Sequence, residues 1–210
     1  TYEQFIKTII NSANLKGLVL GPDTAIGFKR LGTPDKLKEL GNELSYEVFN
    51  INQLNFNNKR VSSSLTRQAI SEGNMDLSTQ YLGRNYSISG TVIKGKGIGN
   101  PVLGYPTANL DMSSVKTIIP ANGIYATIIK LDGREFIGAT SIGYNPTFKN
   151  EEKSIESFII DFNENLYGKD IEINFVKWIR QEESFDNTVE LQKQMTDDIN
   201  QIIQLFKGKN

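Results

Sequence analysis

The 210-residue sequence predicts an α+β architecture: a partial α/β portion, then a small closed β-barrel finished by one helix. Helical and strand patterns alternate up to about residue 83, after which short strands joined by turn signals take over. A seam near residues 83–90 therefore separates two expected domains, residues 1–83 and 84–210.

The first portion opens with Phe5, Ile6, Ile9, Ile10 and Ala13 at helical spacing, then the strand-like run Gly17-Leu18-Val19-Leu20. Thr33-Pro34 reads as an N-cap with proline at the first helical position, and Gly41 as that helix's stop. Tyr46–Ile51 is strand-like, Ser62 to Glu72 is a capped helix ended by Gly73, and Asp76–Leu82 is a further short helix. About 80 residues are few for a parallel-sheet domain, so this portion reads as the back half of a larger module.

Beyond the seam, Ser87–Ile93 alternates. Asp132-Gly133 is a strong hairpin signal and predicts that Ala126–Leu131 pairs with Glu135–Ile142. Ile155–Phe162 and Asp170–Trp178 are expected to pair around Leu166-Tyr167-Gly168-Lys169, and strands so spaced suggest a small barrel. Asn187 and Glu190 form a capping-box pattern, after which Leu191, Met195, Ile199, Ile202 and Phe206 line one helix face.

Composition limits the chemistry. Lys and Arg number 23 against 24 Asp and Glu, a net charge of −1 that lacks the basic excess of a nucleic-acid binder. No apolar run approaches the roughly 18 residues of a membrane span, and no secretory signal is present, so the expected location is the cytoplasm. The chain begins at Thr1 without methionine, as a processed or trimmed product would. It contains no Cys and no His. Thiolate chemistry, His-ligated zinc and Ser-His-Asp hydrolysis are thereby excluded. A catalyst must work with carboxylates, hydroxyls, amides, backbone N–H groups, Lys or Arg, with or without a hard metal such as Mg²⁺.

Three stretches could carry such chemistry. Gly95-Lys96-Gly97-Ile98-Gly99-Asn100-Pro101-Val102-Leu103-Gly104-Tyr105-Pro106-Thr107-Ala108-Asn109 places four glycines within ten residues and contains no Walker A pattern. It reads either as a hairpin tip or as bare backbone approaching a phosphate, with Thr107 and Asn109 as oxygen donors to a Mg²⁺–phosphate unit. Glu156 shares its strand parity with Phe158, Ile160 and Phe162, which directs it toward the barrel interior or its mouth. There it is either a strand-end carboxylate reaching solvent or the best general base available to a chain without histidine. Trp178-Ile179-Arg180-Gln181-Glu182-Glu183-Ser184-Phe185 joins the last strand to the final helix, as aromatic packing or as a clamp on a flat ligand. Gly21-Pro22-Asp23, and Ser62-Ser63-Ser64 with Arg67, allow both phosphate contact and plain capping.

Taken in order, these residues resemble a known family. They include Gly104-Tyr105-Pro106-Thr107-Ala108-Asn109, Asn122-Gly123-Ile124-Tyr125-Ala126 and Ser141-Ile142-Gly143-Tyr144-Asn145-Pro146-Thr147-Phe148. Glu156 with Asp161-Phe162, Leu166-Tyr167-Gly168, and Arg180-Gln181-Glu182 with Phe185 complete the set. The C-terminal part resembles riboflavin kinase, and the whole chain resembles the bifunctional bacterial riboflavin kinase/FMN adenylyltransferases, or FAD synthetases. The resemblance implies a six-stranded antiparallel Greek-key barrel that transfers the γ-phosphate of ATP to the 5′-hydroxyl of riboflavin. It implies that Thr107 and Asn109 place Mg²⁺ and the ATP phosphates. Gly95, Gly97, Gly99, Gly104 and Pro106 would cover the nucleotide, and Tyr125 and Asn145 would join the binding set. Glu156 would take the ribityl proton, while Arg180, Glu182 and Phe185 would close over the flavin.

The first portion resembles the back of the adenylyltransferase, a Rossmann-like nucleotidyltransferase module. Leu20-Gly21-Pro22-Asp23 matches its strand-end motif, with Thr24, Ala25 and Ile26 in place of the usual aromatics. Val61-Ser62-Ser63-Ser64-Leu65-Thr66-Arg67 matches its Ser-rich helix start. The family's HxGH motif cannot occur in a chain without histidine, so kinase activity alone is expected of this chain and adenylylation of FMN only of a longer parent. The expected partners are riboflavin and ATP, with neither nucleic acid nor membrane. Ile98 and Phe158 depart from the family pattern and keep open a non-catalytic flavin- or nucleotide-binding barrel with a partner-docking first half.

Overall fold

The computed structural model describes residues 1–95, 106–144, 153–185 and 187–208. It separates into two compact units, Thr1–Val61 and Ser62–Asn210.

In the first unit, α1 (Tyr2–Ala13) is held at its start by a reciprocal cap. The Gln4 amide donates to the Thr1 hydroxyl at 3.3 Å, and the terminal amine donates to the Gln4 side chain at 2.9 Å. Strand β1 (Gly17–Leu20) lies parallel to β2 (Glu47–Asn50), and the crossover that parallel pairing demands carries α2 (Pro34–Leu44). Ile6, Leu20, Leu37, Leu40 and Tyr46 form the small core. Gly41 does not stop α2, which continues to a left-handed cap at Ser45. A Cβ at Gly41 would stand 2.6 Å from the Tyr46 carbonyl oxygen, so the glycine serves close packing instead. Thr33 does occupy the N-cap position, although its side chain makes no capping bond. A tight hairpin of β3 (Asn55–Phe56) and β4 (Lys59–Arg60) follows. Its turn residues Asn57 and Asn58 adopt φ of 49° and 57°, a left-handed pair that asparagine tolerates.

Helices α3 (Ser63–Ser71) and α4 (Met75–Leu82) open the second unit. Their Ile70 and Met75 are buried in the core of the barrel that follows. The spatial division therefore falls after Val61, whereas the change in sequence texture falls near residue 83, because α/β texture does not record which core a helix enters.

Among the described residues six strands close into an antiparallel barrel, β5 (Tyr86–Ile93), β6 (Thr107–Leu110), β7 (Gly123–Leu131), β8 (Arg134–Tyr144), β9 (Lys153–Ile159) and β10 (Asp170–Arg180). Their order is β10-β5-β6-β9-β8-β7, and the meander β7-β8-β9 with β6 beside β9 is a Greek-key arrangement. Among the described residues, closure leaves the barrel itself no exposed edge strand. The Asp132-Gly133 hairpin forms in the expected register, with Leu131 opposite Arg134. The expected pairing of Ile155–Phe162 with Asp170–Trp178 does not form. Strand β9 pairs with β6 and β8, and β10 with β5 and β7. The Leu166–Lys169 turn bonds instead to β5, through Gly168 N–H to the Val92 carbonyl and Val92 N–H to the Lys169 carbonyl, both at 2.8 Å.

Ile88, Ile129, Ile142, Ile155, Ile173 and Phe175 fill the barrel. Within it, the hydroxyls of Thr127, Thr140 and Ser157 link in a chain at 2.9 and 2.8 Å, satisfying buried polar atoms across three strands. In β9 the inward set is Ile155, Ser157 and Ile159, so Glu156 and Phe158 share the outer face rather than the interior. The strand ends at Ile159, and the positive φ of Asp161 turns the chain away before Phe162. The terminal helix α5 (Thr188–Lys207) begins at Asn187, whose side chain accepts from the Glu190 amide at 2.9 Å.

Candidate functional site

The outer faces of β6–β9, the segment 181–185 and α5 enclose a cavity of about 310 Å³. Its walls divide by chemistry. Ile124, Phe158, Phe185, Leu191, Met195 and Ile199 provide apolar surface, while Thr107, Ser141, Glu156, Arg180 and Glu182 provide hydrogen-bonding groups. A volume near the lower end of the roughly 300–1,000 Å³ of small-molecule sites, apolar with a few convergent polar groups, describes a ligand pocket.

At one end Thr107, Asn109 and Glu156 come together because antiparallel register sets Asn109 opposite Glu156 on the same outer face. The Thr107 hydroxyl donates to Glu156 Oε2 at 3.3 Å, and the Ser154 hydroxyl donates to Oε1 at 3.4 Å. The Asn109 amide donates to the Thr107 carbonyl and hydroxyl oxygens, both at 3.4 Å. A Cβ on Gly95 would meet the Asn109 amide nitrogen at 2.4 Å, so glycine lets the chain pass close over this side chain. Thr107 also lines a second cavity of about 360 Å³, shared with Pro106, Ser157, Asn163, Asn165 and Tyr167. A single hydroxyl thus stands in the walls of two adjoining compartments.

At the other end the Glu182 carboxylate lies over Gly143 and accepts from the Ser141 hydroxyl at 3.2 Å. Desolvation, reinforced by the Glu156 charge, raises the Glu182 carboxyl above its ordinary range, and Ser141, Lys153 and Arg180 act against that rise. Burial pushes the Lys153 ammonium down, and its Nζ donates to the Pro120 carbonyl at 2.9 Å. Arg180 reaches the cavity wall, with its guanidinium engaged by Asp198 of α5. Among the described residues no group of three or more acidic side chains gathers as a metal cluster. Any metal here would rest on mixed hydroxyl, amide and carboxylate oxygens.

Of the residues expected at the site, the structure brings Thr107, Glu156, Arg180, Glu182 and Phe185 to one cavity, Asn109 and Gly95 beside it, and Pro106 to the second. Tyr125 is not brought there. Its ring is fully buried inside the barrel, edge-on to Phe175 at 5.2 Å, with its hydroxyl donating to the Ala121 carbonyl at 2.6 Å. Burial accordingly raises its phenol above the ordinary range. Gly97, Gly99, Gly104 and Asn145 lie outside the described residues. Sequence reasoning passed over Asp198 and assigned no role to Gly143. The helical period carried a signal for the first: Asp198 lies on the apolar face with Leu191, Met195 and Ile202, where a charge demands a partner.

A closed antiparallel barrel with an apolar pocket on its outer wall and a bonded hydroxyl and carboxylate beside it describes a small-molecule-binding barrel. The family model described as riboflavin kinase matches residues 82–206, and the chain belongs to that family. A second model, described as FAD synthetase, matches residues 1–65. Among curated relatives, the bifunctional riboflavin kinase/FMN adenylyltransferase of Buchnera aphidicola subsp. Acyrthosiphon pisum is 41% identical over 197 residues. That match covers 92% of this chain and 62% of the relative. The protein of the same description from Bacillus subtilis is 34% identical over 211 residues, covering 98% of this chain and 65% of the relative. The chain thus spans somewhat less than two thirds of these relatives. A crystal structure described as a macrolide-efflux protein from Streptococcus pneumoniae superimposes with a TM-score of 0.81 at 30% identity, over 95% of this chain and 64% of that one.

Proposed function

We propose that the barrel unit is an ATP-dependent riboflavin kinase, converting riboflavin and ATP to FMN and ADP. The carrying observation is the position of Thr107, which lines both cavities while its hydroxyl bonds to Glu156. The apolar pocket under Phe158 and Phe185 takes the flavin ring, and the second cavity takes the nucleotide. The two substrates then meet at Thr107. Phosphoryl transfer asks a protein mainly for positioning and charge neutralisation, which suits a site without histidine.

Glu156 accepts the proton of the ribityl 5′-hydroxyl as its oxygen bonds to the γ-phosphorus, and the bond from that phosphorus to the β–γ bridging oxygen breaks to release ADP. The oxygens of Thr107 and Asn109 fit a hard cation, and Mg²⁺ held there would neutralise phosphate charge while leaving Glu156 to take the proton. Glu182 and Phe185 cover the flavin side of the pocket. The Thr1–Val61 unit, which carries the FAD synthetase match, we assign to the adenylyltransferase part of a longer protein that also converts FMN to FAD. The kinase relatives, not the efflux description of the Streptococcus structure, support this function. Among the described residues no helix is long and apolar enough to cross a membrane.

Incubation with riboflavin, ATP and Mg²⁺, with FMN and FAD resolved by chromatography, tests the proposal. FMN is the expected product, and Glu156→Gln is expected to lower kcat by about 10²–10⁴ while riboflavin affinity holds. Bound riboflavin without FMN would point to a flavin-binding barrel, and an active Glu156→Gln would remove Glu156 from the role of base.

A further inference from the structure

The last turn of the barrel wall is tied to α5 by an ion pair that the chemistry above does not use. Arg180, the final residue of β10, donates from Nε to Asp198 Oδ1 and Oδ2 at 2.9 and 3.1 Å, and from Nη2 to Oδ2 at 2.7 Å. Its Nη1 turns back to the Gln181 carbonyl at 2.8 Å. Gln194, one turn before Asp198 on the helix, donates to Oδ1 at 3.0 Å. Every carboxylate oxygen is therefore spoken for. Asp198 itself is only 4% exposed.

Such geometry is more than a surface tether. A planar fork locked on a carboxylate fixes the direction of the arginine as well as its position, which a lysine could not do. Strand β10 changes register against β7 between Trp178 and Arg180, and bulges of this kind re-aim the residues that follow. Arg180 and Asp198 themselves border the flavin pocket, and so do the residues that follow. Glu182 lies two positions on, with its carboxylate over Gly143 and bonded to Ser141, and Phe185 completes the apolar wall beside Leu191, Met195 and Ile199 of the same helix. The clamp thus spans the two elements that flank the segment, the end of β10 and the middle of α5.

We infer that Asp198 is a positioning residue for the flavin: through Arg180 it sets where the chain leaves the barrel, and so where Glu182 and Phe185 stand over the bound ring. It borders the cavity, but both its oxygens are occupied by Arg180 and Gln194, so it acts by holding Arg180 rather than by taking part in the chemistry. The inference rests on the riboflavin reading of the pocket, and its consequences are selective. Loosening the clamp lets the segment 181–185 swing, which weakens riboflavin binding. The Thr107 side of the site, held by β6 and β9, keeps its geometry, so the nucleotide is affected little.

Asp198→Asn is the direct test, since it keeps the shape and the Gln194 contact while removing the charge. The full chain is assayed for FMN formation with each substrate varied in turn, and riboflavin affinity is measured separately by flavin fluorescence without ATP. A displacement on the order of 1 Å costs up to about 10²-fold, so kcat/KM for riboflavin should fall about ten- to a hundred-fold. KM for ATP should stay within about two-fold of the parent, and Asp198→Glu should recover part of the loss. A purely structural role would lower the melting temperature and the active fraction without separating the two substrates. Should Asp198→Asn not fold, Arg180→Lys tests the same clamp from its other end, with the same split expected. Wild-type FMN formation together with unchanged riboflavin KM and affinity in these variants overturns the inference and leaves the kinase reading intact. A wild-type chain that binds riboflavin without making FMN sinks the kinase reading, and the fluorescence arm still decides the role of Asp198. A chain that does neither sinks both.

Discussion

Gly143→Ala isolates the placement of Glu182 from every other feature of the pocket. An ideal Cβ at residue 143 would stand 1.9 Å from Glu182 Oε1, 2.0 Å from Oε2 and 2.1 Å from Cδ. Ordinary van der Waals contact begins at 3.4 Å, so the carboxylate must retreat by about 1.5 Å. Its hydrogen bond from Ser141, already 3.2 Å long, does not survive that movement. One lost hydrogen bond is worth about 1 kcal/mol, or about five-fold, and misplacing a contact group by more than about 1 Å costs up to about 10²-fold. The expected loss in kcat/KM for riboflavin therefore lies between about five- and a hundred-fold. Stability should hardly move. The displaced atoms end a flexible side chain, and replacing glycine relieves the unfolded chain of about 0.4–1 kcal/mol of backbone entropy. Steady-state FMN formation beside a thermal melt reads both quantities. Kinetics within two-fold of the parent would show that Glu182 does not act from where it sits, whereas a large drop in melting temperature would refute the claim that only a side-chain tip is disturbed.

Two further predictions follow from the placement of single groups. Tyr125→Phe keeps the edge-on contact with Phe175 and removes only the bond to the Ala121 carbonyl, so it should cost about 1 kcal/mol of stability in a thermal or urea melt and leave both substrate KM values unchanged. A shifted KM would return Tyr125 to the binding set. Glu182 has a carboxyl raised in the fold above its ordinary value of 4.5, so its contribution is fully present below that value and is lost as pH rises through the raised one. Glu182→Gln should flatten this fall in a series of melts from acid to neutral pH, and an unchanged pH dependence would show that the desolvation has no thermodynamic weight.

The barrel was legible where local chemistry determined it and obscure where pairing was distant. Asp132 and Gly133 specify their hairpin within four residues, and the predicted strands meet in register. No local signal says that β9 must leave β10 and lie between β6 and β8, because those partners are chosen by closure of the whole sheet. The same gap explains Glu156. Parity grouped it correctly with Phe158, but parity alone cannot say which face of a strand is the interior, and the buried set proved to be Ile155, Ser157 and Ile159. In Tyr125 a residue within a matching motif was assigned to binding, although alternation along β7 places it with inward Thr127 and Ile129. Gly143 and Asp198 escaped for a different reason. Each matters only through a partner 39 or 18 positions away, Glu182 for one and Arg180 for the other.

The outer-wall location of the pocket has a physical advantage that an interior site would lack. The barrel interior is filled by isoleucines and rings, and the hydroxyls of Thr127, Thr140 and Ser157 bond to one another within it, as a close-packed core allows. Functional side chains then need only project from alternate positions of strands whose register is already fixed, as Thr107, Glu156 and Ser141 do. What such a wall cannot do alone is exclude water from one side. In the function proposed, that task would fall to residues 181–185, which are exposed or half-buried and include Glu182 and Phe185. On the proposed function such a segment would have to admit substrate, and a clamp at its root would hold its geometry. Arg180 and Asp198 supply a fixed origin, and Gly143 supplies a seat for the Glu182 carboxylate.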